Sequence, residues 1–159
     1  RTMYATVMRI LRNSLAKVGV PQRVIYKHSA GGVVIDNNRV LLIHWDPPRS
    51  SYDFPKGAIN KGETAEQACL REVKEETGYD AAVVRFVGQT YYEYDWKDGT
   101  HHKKTVDYFL LRLSSPHQNP HPNRERHETF VNAWVPVQRA QKLLTRDIDK
   151  DILQQAYPF

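Results

Sequence analysis

A chain of 159 residues with 40% hydrophobic and 26% charged side chains has room for one ordinary domain with its own core, and its balance is globular rather than disordered. Cys69 is the only cysteine, and the longest apolar runs, such as residues 40–43, fall far short of a membrane span. Secreted disulfide scaffolds, transmembrane proteins, collagens and two-domain enzymes are therefore not expected, and a reducing, cytoplasmic compartment is. The net charge of +5 is unevenly placed. Before Asp36 stand Arg1, Arg9, Arg12, Lys17, Arg23 and Lys27 and no acid, giving +6, while the remaining 17 basic and 18 acidic side chains leave the rest near −1.

This distribution divides the chain into a basic arm, residues 1–23, and a body, residues 24–159. In the arm Tyr4, Val7, Met8, Leu11, Leu15 and Val18 recur at helical spacing. Three readings compete: an amphipathic helix docked on its own domain, a surface attracting RNA or an anionic membrane, and an Arg-rich, acid-free peptide directing the chain to an organelle. Six apolar positions are more than an RNA arm requires, which favours the docking helix.

Val20-Pro21-Gln22 ends the arm. Residues 24–35 read as a strand loosened at Gly31-Gly32, and Asp36-Asn37-Asn38-Arg39 as a turn that folds residues 40–45 back as a hairpin. Residues 46–51 are a loop. A helix is predicted over 65–77, strands over 83–87, 90–94 and 105–113, and a turn at Asp98-Gly99. Residues 114–128, rich in Pro, His and Asn, are predicted as a long loop. A strand over 130–135 and two closing helices, 137–144 and 148–156, follow. This order argues for the α/β class, a mixed sheet between helical layers.

The predicted helix carries the chemistry. Thr64 is a good N-cap, Gln67 three residues later completes a capping box, and Gly78 suits the left-handed residue that ends a helix, from which Tyr79 can fold back onto Val73. At 100° per residue, with Arg71 as zero, Glu75 falls at about 40°, Glu72 at about 100° and Glu76 at about 140°. Cys69, Leu70 and Val73 take the core side. Ala65 and Ala68 lie among the carboxylates, where small side chains are expected to leave room above them. Three carboxylates on one arc repel one another, and Lys74, the only lysine of the helix, lies elsewhere. A solvated face and a hard divalent cation are the two readings of such a stripe.

The stretch Gly57-Ala58-Ile59-Asn60-Lys61-Gly62-Glu63, continuing to Arg71-Glu72-Val73-Lys74-Glu75-Glu76-Thr77-Gly78-Tyr79, is similar at every specified position to the signature of the Nudix hydrolases. A chance match at a given start is on the order of 10⁻⁹ at average residue usage. The resemblance extends more loosely to Gly31-Gly32-Val33-Val34, Asp53-Phe54-Pro55-Lys56-Gly57 and Trp134-Val135-Pro136, and leaves out the arm. It implies an α/β/α sandwich and hydrolysis of a diphosphate bond in a nucleoside diphosphate linked to another group. It implies further that Glu72, Glu75, Glu76 and the Gly57 carbonyl hold Mg²⁺ or Mn²⁺, that Arg71 orients one of the glutamates, and that Glu63 supports the site from behind or simply favours the helix start. In many relatives the proton acceptor is a Glu outside the helix, which points here to Glu128, with Glu76 as the rival; Glu125 reads as a surface partner of Arg124 or Arg126.

His117, His121 and His127 share the 114–128 loop at spacings that fit no compact zinc site. Lys56 and His101-His102-Lys103-Lys104 are expected to supply positive charge. The stretch Lys104-Thr105-Val106-Asp107-Tyr108-Phe109-Leu110 resembles one in dinucleoside tetraphosphate (Ap4A-type) hydrolases, which implies that Lys104 meets the polyphosphate and that Tyr94 and Tyr108 stack on a base. Tyr108 as a core strand residue is the competing reading. Diphosphoinositol polyphosphate hydrolases, RNA 5′-pyrophosphohydrolases and enzymes that remove oxidised dGTP carry similar signatures. Non-catalytic Nudix-like binding modules usually lose signature carboxylates, all of which this chain keeps.

Overall fold

The computed structural model describes residues 22–120 and 129–157. The predicted arm helix, together with His121, Glu125, His127 and Glu128, lies outside the described residues. The elements are β1 (Val24–Asp36), β2 (Arg39–Trp45), β3 (Tyr52–Asp53), β4 (Lys56–Ala58), α1 (Ala65–Thr77), β5 (Tyr79–Asp95), β6 (His101–Gln118), β7 (Phe130–Pro136), α2 (Val137–Leu143) and α3 (Asp147–Ala156). The strands join in the order β3-β2-β1-β6-β5, with β4 on β1 and β7 on β2. β1 pairs antiparallel with β2 and β4, and β2 with β3 and β7. Among the described residues no helix is long and apolar enough to cross a membrane.

Strand alternation explains the layering. Successive side chains of a strand point to opposite faces. Val33, Leu42 and Tyr108 enter a buried cluster with Val137, Ala140, Leu144 and Leu153, from α2, the start of the link that follows it, and α3. Their chain neighbours Val34, Leu41 and Phe109 enter a second cluster with Ala68, Cys69 and Val73 of α1. Both faces of the sheet are thus covered by helices, which is the α/β arrangement with a mixed sheet expected from the sequence.

Several boundaries differ from the sequence reading for local reasons. The hairpin turns on Asn37 and Asn38, both at positive φ (46° and 60°), and registers Ile35 on Val40. Gly31-Gly32 does not loosen β1. A Cβ at Gly31 would lie 2.7 Å from Tyr108, and one at Gly32 2.6 Å from Val73, so the glycines let sheet and helix close up. Gly88 does not split β5, which runs unbroken from Tyr79 to Asp95. β6 continues through the predicted loop to Gln118, where the Asn119 N–H donates to Gly78 O at 2.8 Å and the Gln118 amide to Thr77 O at 2.9 Å. Ala68 is buried in the core rather than leaving space over the carboxylates, so its smallness brings α1 onto the sheet.

The described residues divide into two compact units, the smaller made of those up to Tyr26 together with Glu93–Lys103 and the larger of the rest. In the smaller unit, the Gln22 amide donates to Asp95 and Gly99, His101 bridges Glu93 and Asp95 at 2.6 and 2.9 Å, and Tyr94 stacks on His102 at 5.0 Å. The charges of His101 and Lys103 are therefore met by acids of their own unit.

Helix α1 starts as its sequence dictates. Thr64 Oγ1 accepts the Gln67 N–H at 3.1 Å, and Gln67 Oε1 accepts the Thr64 N–H at 2.9 Å. Gly78 closes it at φ 75° with its N–H on Lys74 O. Thr64→Ala is expected to lower stability by about 1 kcal/mol, the usual loss for a deleted N-cap side chain. The measurement is the urea midpoint at unchanged slope, and an unmoved midpoint would mean that the preceding loop fixes the helix start without the cap.

Candidate active site

The site begins with a guanidinium. Arg71 Nε and Nη2 donate to the two Glu63 carboxylate oxygens at 2.8 and 2.9 Å, a bidentate pair. Its Nη1 donates to Glu72 Oε1 at 2.6 Å and to Glu75 Oε2 at 3.2 Å, and Nη2 also reaches the Ala58 carbonyl at 2.8 Å. Arg71 therefore holds three carboxylates, where the signature resemblance implied one. Glu63 is fixed in turn by the Asn60 N–H at 3.0 Å. These bonds, Arg71 first and the Asn60 amide second, hold the Glu63 carboxyl at about 2, and the Glu63 bond is the main cause that raises the Arg71 guanidinium above its ordinary value.

Glu72 has the opposite balance. Burial pushes its carboxyl above the usual range, and the bond and charge of Arg71 offset this only in part. Its carboxylate lies directly over the α-carbon of Gly57, where any Cβ would collide with it. Gly57 is brought there by β4, whose register sets it opposite Ala30. Glu76 accepts the Lys56 N–H at 2.8 Å. As they stand, Glu72 and Glu75 turn to Arg71 and Glu76 to Lys56, and among the described residues no three acidic, His or Cys side chains close on one point. The donors fit a hard divalent cation all the same. They are carboxylates beside a glycine whose missing side chain leaves the backbone approachable, and all are oxygen.

Beside Glu76 opens a cleft of about 240 Å³. Arg49, Lys56, Lys104 and Arg146 line it against two acids, Asp53 and Glu76, with Trp45, Tyr92, Ile43 and Phe54 as walls. Asp53 is its hub: Arg49 donates to one oxygen at 2.6 Å, and Lys56 and Arg146 face the other at 3.8 and 3.7 Å. Burial works to raise the Asp53 carboxyl, but Lys56, Arg49 and Arg146 together bring it below its ordinary value. Burial lowers both lysines; Asp53 counters this at Lys56, whereas Arg146 and Lys27 add to it at Lys104. With Asp149 paired to Arg146 behind the lining, four cations still outnumber the acids around the cleft, a balance that suits an anion.

Of the expected substrate-binding residues, Lys56 and Lys104 both line this cleft. Tyr108 is not available to stack on a base: it is 0% exposed, edge-on to Phe54, with its hydroxyl 3.3 Å from Asp149. The even positions of β6 that place Lys104 in the cleft carry Tyr108 into the core. Tyr94 stacks on His102 in the smaller unit, and the tyrosine of the cleft is Tyr92, with the Arg146 guanidinium 4.7 Å over its ring. Sequence reasoning missed Arg49, Arg146, Trp45 and Tyr92, which come from a loop, a helix junction and two strand ends. Asp149 did leave a signal, an acid one turn before Ile152 and Leu153 on the apolar face of α3.

Glu63 gives this network a pH signature. The folded state keeps its carboxylate ionised down to about 2 against an ordinary value of 4.5, so between these pH values the unfolded chain binds more protons. The stabilisation is complete above pH 4.5 and is lost as pH falls through 2. Glu63→Gln is expected to flatten the fall of the urea midpoint across that window. Identical pH slopes in both proteins would remove Glu63 from the network.

The family model of the NUDIX domain matches residues 26–156. A protein named as mutator protein MutT4 in Mycobacterium tuberculosis (strain CDC 1551 / Oshkosh) is 33% identical over 142 residues, covering 84% of this chain, which spans only 55% of that relative's length. An RNA pyrophosphohydrolase of Blochmanniella pennsylvanica (strain BPEN) is 30% identical over 144 residues, covering 78% of this chain and 89% of its own. Among solved structures, a C. elegans Ap4A hydrolase superposes with a TM-score of 0.61 at 24% identity, over 81% of this chain and 93% of that one. A MutT NUDIX hydrolase from Burkholderia pseudomallei reaches 0.64 at 20% identity, over 82% and 98%. With its glutamate–arginine network on α1 and a NUDIX match from Tyr26 to Ala156, the chain belongs to the Nudix hydrolase family.

Proposed function

We propose that this chain is a divalent-metal-dependent pyrophosphohydrolase that cleaves a diphosphate bond in a nucleoside diphosphate linked to another group, with a dinucleoside polyphosphate of the Ap4A type as preferred substrate. The observation that carries this reading is the junction at Glu76, which belongs to the carboxylate stripe of α1 and also lines the four-cation cleft. A polyanion held by Lys56, Lys104 and Arg146 would have its phosphates drawn to the edge of that stripe.

Glu72, Glu75 and Glu76, with the Gly57 carbonyl, would hold Mg²⁺ or Mn²⁺. Such an ion supplies charge neutralisation at the diphosphate and acidifies a water. The chain's own work is orientation and proton transfer. Glu63 anchors Arg71, which sets the carboxylates of Glu72 and Glu75, and the Lys56 N–H sets Glu76. Glu128 accepts the proton of the attacking water, a role assigned from its place in the sequence, and Glu76 is the alternative.

A second substrate has specific support. Relatives named as RNA pyrophosphohydrolases match 71–82% of this chain, and the N-terminal residues carry +6. A panel of Ap4A, 5′-triphosphorylated RNA, 8-oxo-dGTP and a diphosphoinositol polyphosphate, assayed with Mg²⁺, ranks these by kcat/KM. Ap4A is expected first, and RNA first would replace the substrate while keeping the reaction. Tight binding with no turnover of any would make the chain a binding module.

Glu75→Gln and Glu76→Gln are each expected to lower kcat at least ~10²-fold with the fold intact, as for loss of a charge-stabilising group. Near-normal turnover in both would overturn the metal site. Glu128→Gln is expected to lower kcat by ~10²–10⁴ at saturating Mg²⁺. If turnover recovers fully on raising Mg²⁺, Glu128 is not the base.

A further inference from the structure

The two arginines of the cleft differ in burial and in the carboxylate that holds them. Arg146 Nε and Nη2 donate to the two oxygens of Asp149 at 2.8 and 3.1 Å, and the same guanidinium lies 4.7 Å over the Tyr92 ring. Asp149 is itself 0% exposed and accepts the Tyr108 hydroxyl at 3.3 Å. A buried carboxylate anchored to the core thus fixes one edge of the guanidinium and an aromatic ring one face. Arg49 is also held by a carboxylate and a ring, donating to Asp53 and Ser51 with its guanidinium 4.0 Å over Trp45, but its side chain is 51% exposed against 29% for Arg146. Long side chains lose rotamer freedom on binding, so a guanidinium already fixed in place grips a ligand more tightly than a mobile one.

Position gives this arginine its task. Starting from Glu76 at the carboxylate stripe, the chain of contacts runs through Lys56 to Asp53 and from Asp53 to Arg146. Lys56 adjoins the place where a diphosphate would be cleaved, and Arg146 stands two contacts further along that path, beyond Asp53. An anion that reaches Arg146 as well as Lys56 would then extend past the cleaved pair. We propose that Arg146, seated on Asp149, is a specificity-determining clamp for a phosphate beyond that pair, so that the cleft selects ligands with three or more linked phosphates over simple diphosphates. Its relevance to catalysis rests on the pyrophosphohydrolase reading; the binding preference does not.

The test is calorimetric titration of the metal-free full chain with inorganic tripolyphosphate and with pyrophosphate. The wild type is expected to bind tripolyphosphate roughly 10- to 100-fold more tightly, the scale of one further charge-assisted contact. Arg146→Gln should reduce that ratio to within about threefold, and Arg146→Lys, which cannot form the fork, should restore it only in part. A ratio kept by Arg146→Gln, or no preference in the wild type, overturns the proposal. Asp149→Asn separates seating from mere charge. It removes a negative charge beside the cleft, so an unspecific field would tighten tripolyphosphate binding, whereas loss of the seat weakens it. Weakening supports the clamp and tightening overturns it. Should Asp149→Asn not fold, the half-buried Arg146→Gln variant still decides. A wild type that cleaves no dinucleoside polyphosphate overturns the proposed substrate and leaves the tripolyphosphate ratio readable.

Discussion

Everything chemical in this protein depends on one guanidinium among carboxylates. Glu63, Glu72 and Glu75 face a single Arg71, a formal charge of −2 on about two turns of helix and the loop before it, and Glu76, turned to the Lys56 N–H, adds a further negative charge to the stripe. Like charges at helical spacing destabilise a helix. Here Arg71 offsets part of the repulsion, and the capping box and left-handed Gly78 hold the ends of the helix that carries it. The remaining excess is what a bound cation would offset, because a neutralised stripe would have nothing to offer a metal. At Glu72, burial first and the charges of Glu75 and Glu63 last raise the carboxyl against the bond and charge of Arg71.

The second constraint is geometric. Gly57 has to pass under the Glu72 carboxylate with no side chain, and a strand of three residues, paired to β1 through Ala30, holds it there. The same strand begins at Lys56, whose N–H fixes Glu76 and whose ammonium reaches Asp53 in the cleft. β4 therefore ties the carboxylate stripe to the anion receptor within two residues. The glycines opposite and beside it, Gly31 and Gly32, make the approach feasible by leaving space for Tyr108 on one side and Val73 on the other.

How much of this was legible in the sequence follows from the range of each interaction. Helix α1, both its caps and the carboxylate arc are local: they depend on residues within four of each other, and the pattern states them directly. β3 and β4, of two and three residues, are too short for a period of two to register. Tyr108 shows where periodicity stops being informative. It shares its face of β6 with Lys104 and Val106, but only the packed structure shows that the core covers that face as far as Val106 and the cleft begins beyond it. Arg49, Tyr92 and Arg146 are separated by more than forty residues in sequence, and nothing local marks them as neighbours.

The cleft also shows how lysines are kept ready for an anion. Removed from water, Lys56 and Lys104 hold their protons less tightly than free lysines do. Asp53 and Glu76, with Asp149 at Lys56, restore them only in part. A phosphate in the cleft would supply further negative charge, so that its binding and the charging of the lysines would reinforce each other. Asp53 meanwhile keeps Arg49, Lys56 and Arg146 within reach of one point while the cleft is empty, when their mutual repulsion would otherwise spread them. A buried acid at the centre of a cationic cleft thus acts as a stand-in for the ligand. It carries one charge where a polyphosphate would carry several, and that difference is what would drive such a ligand into its place.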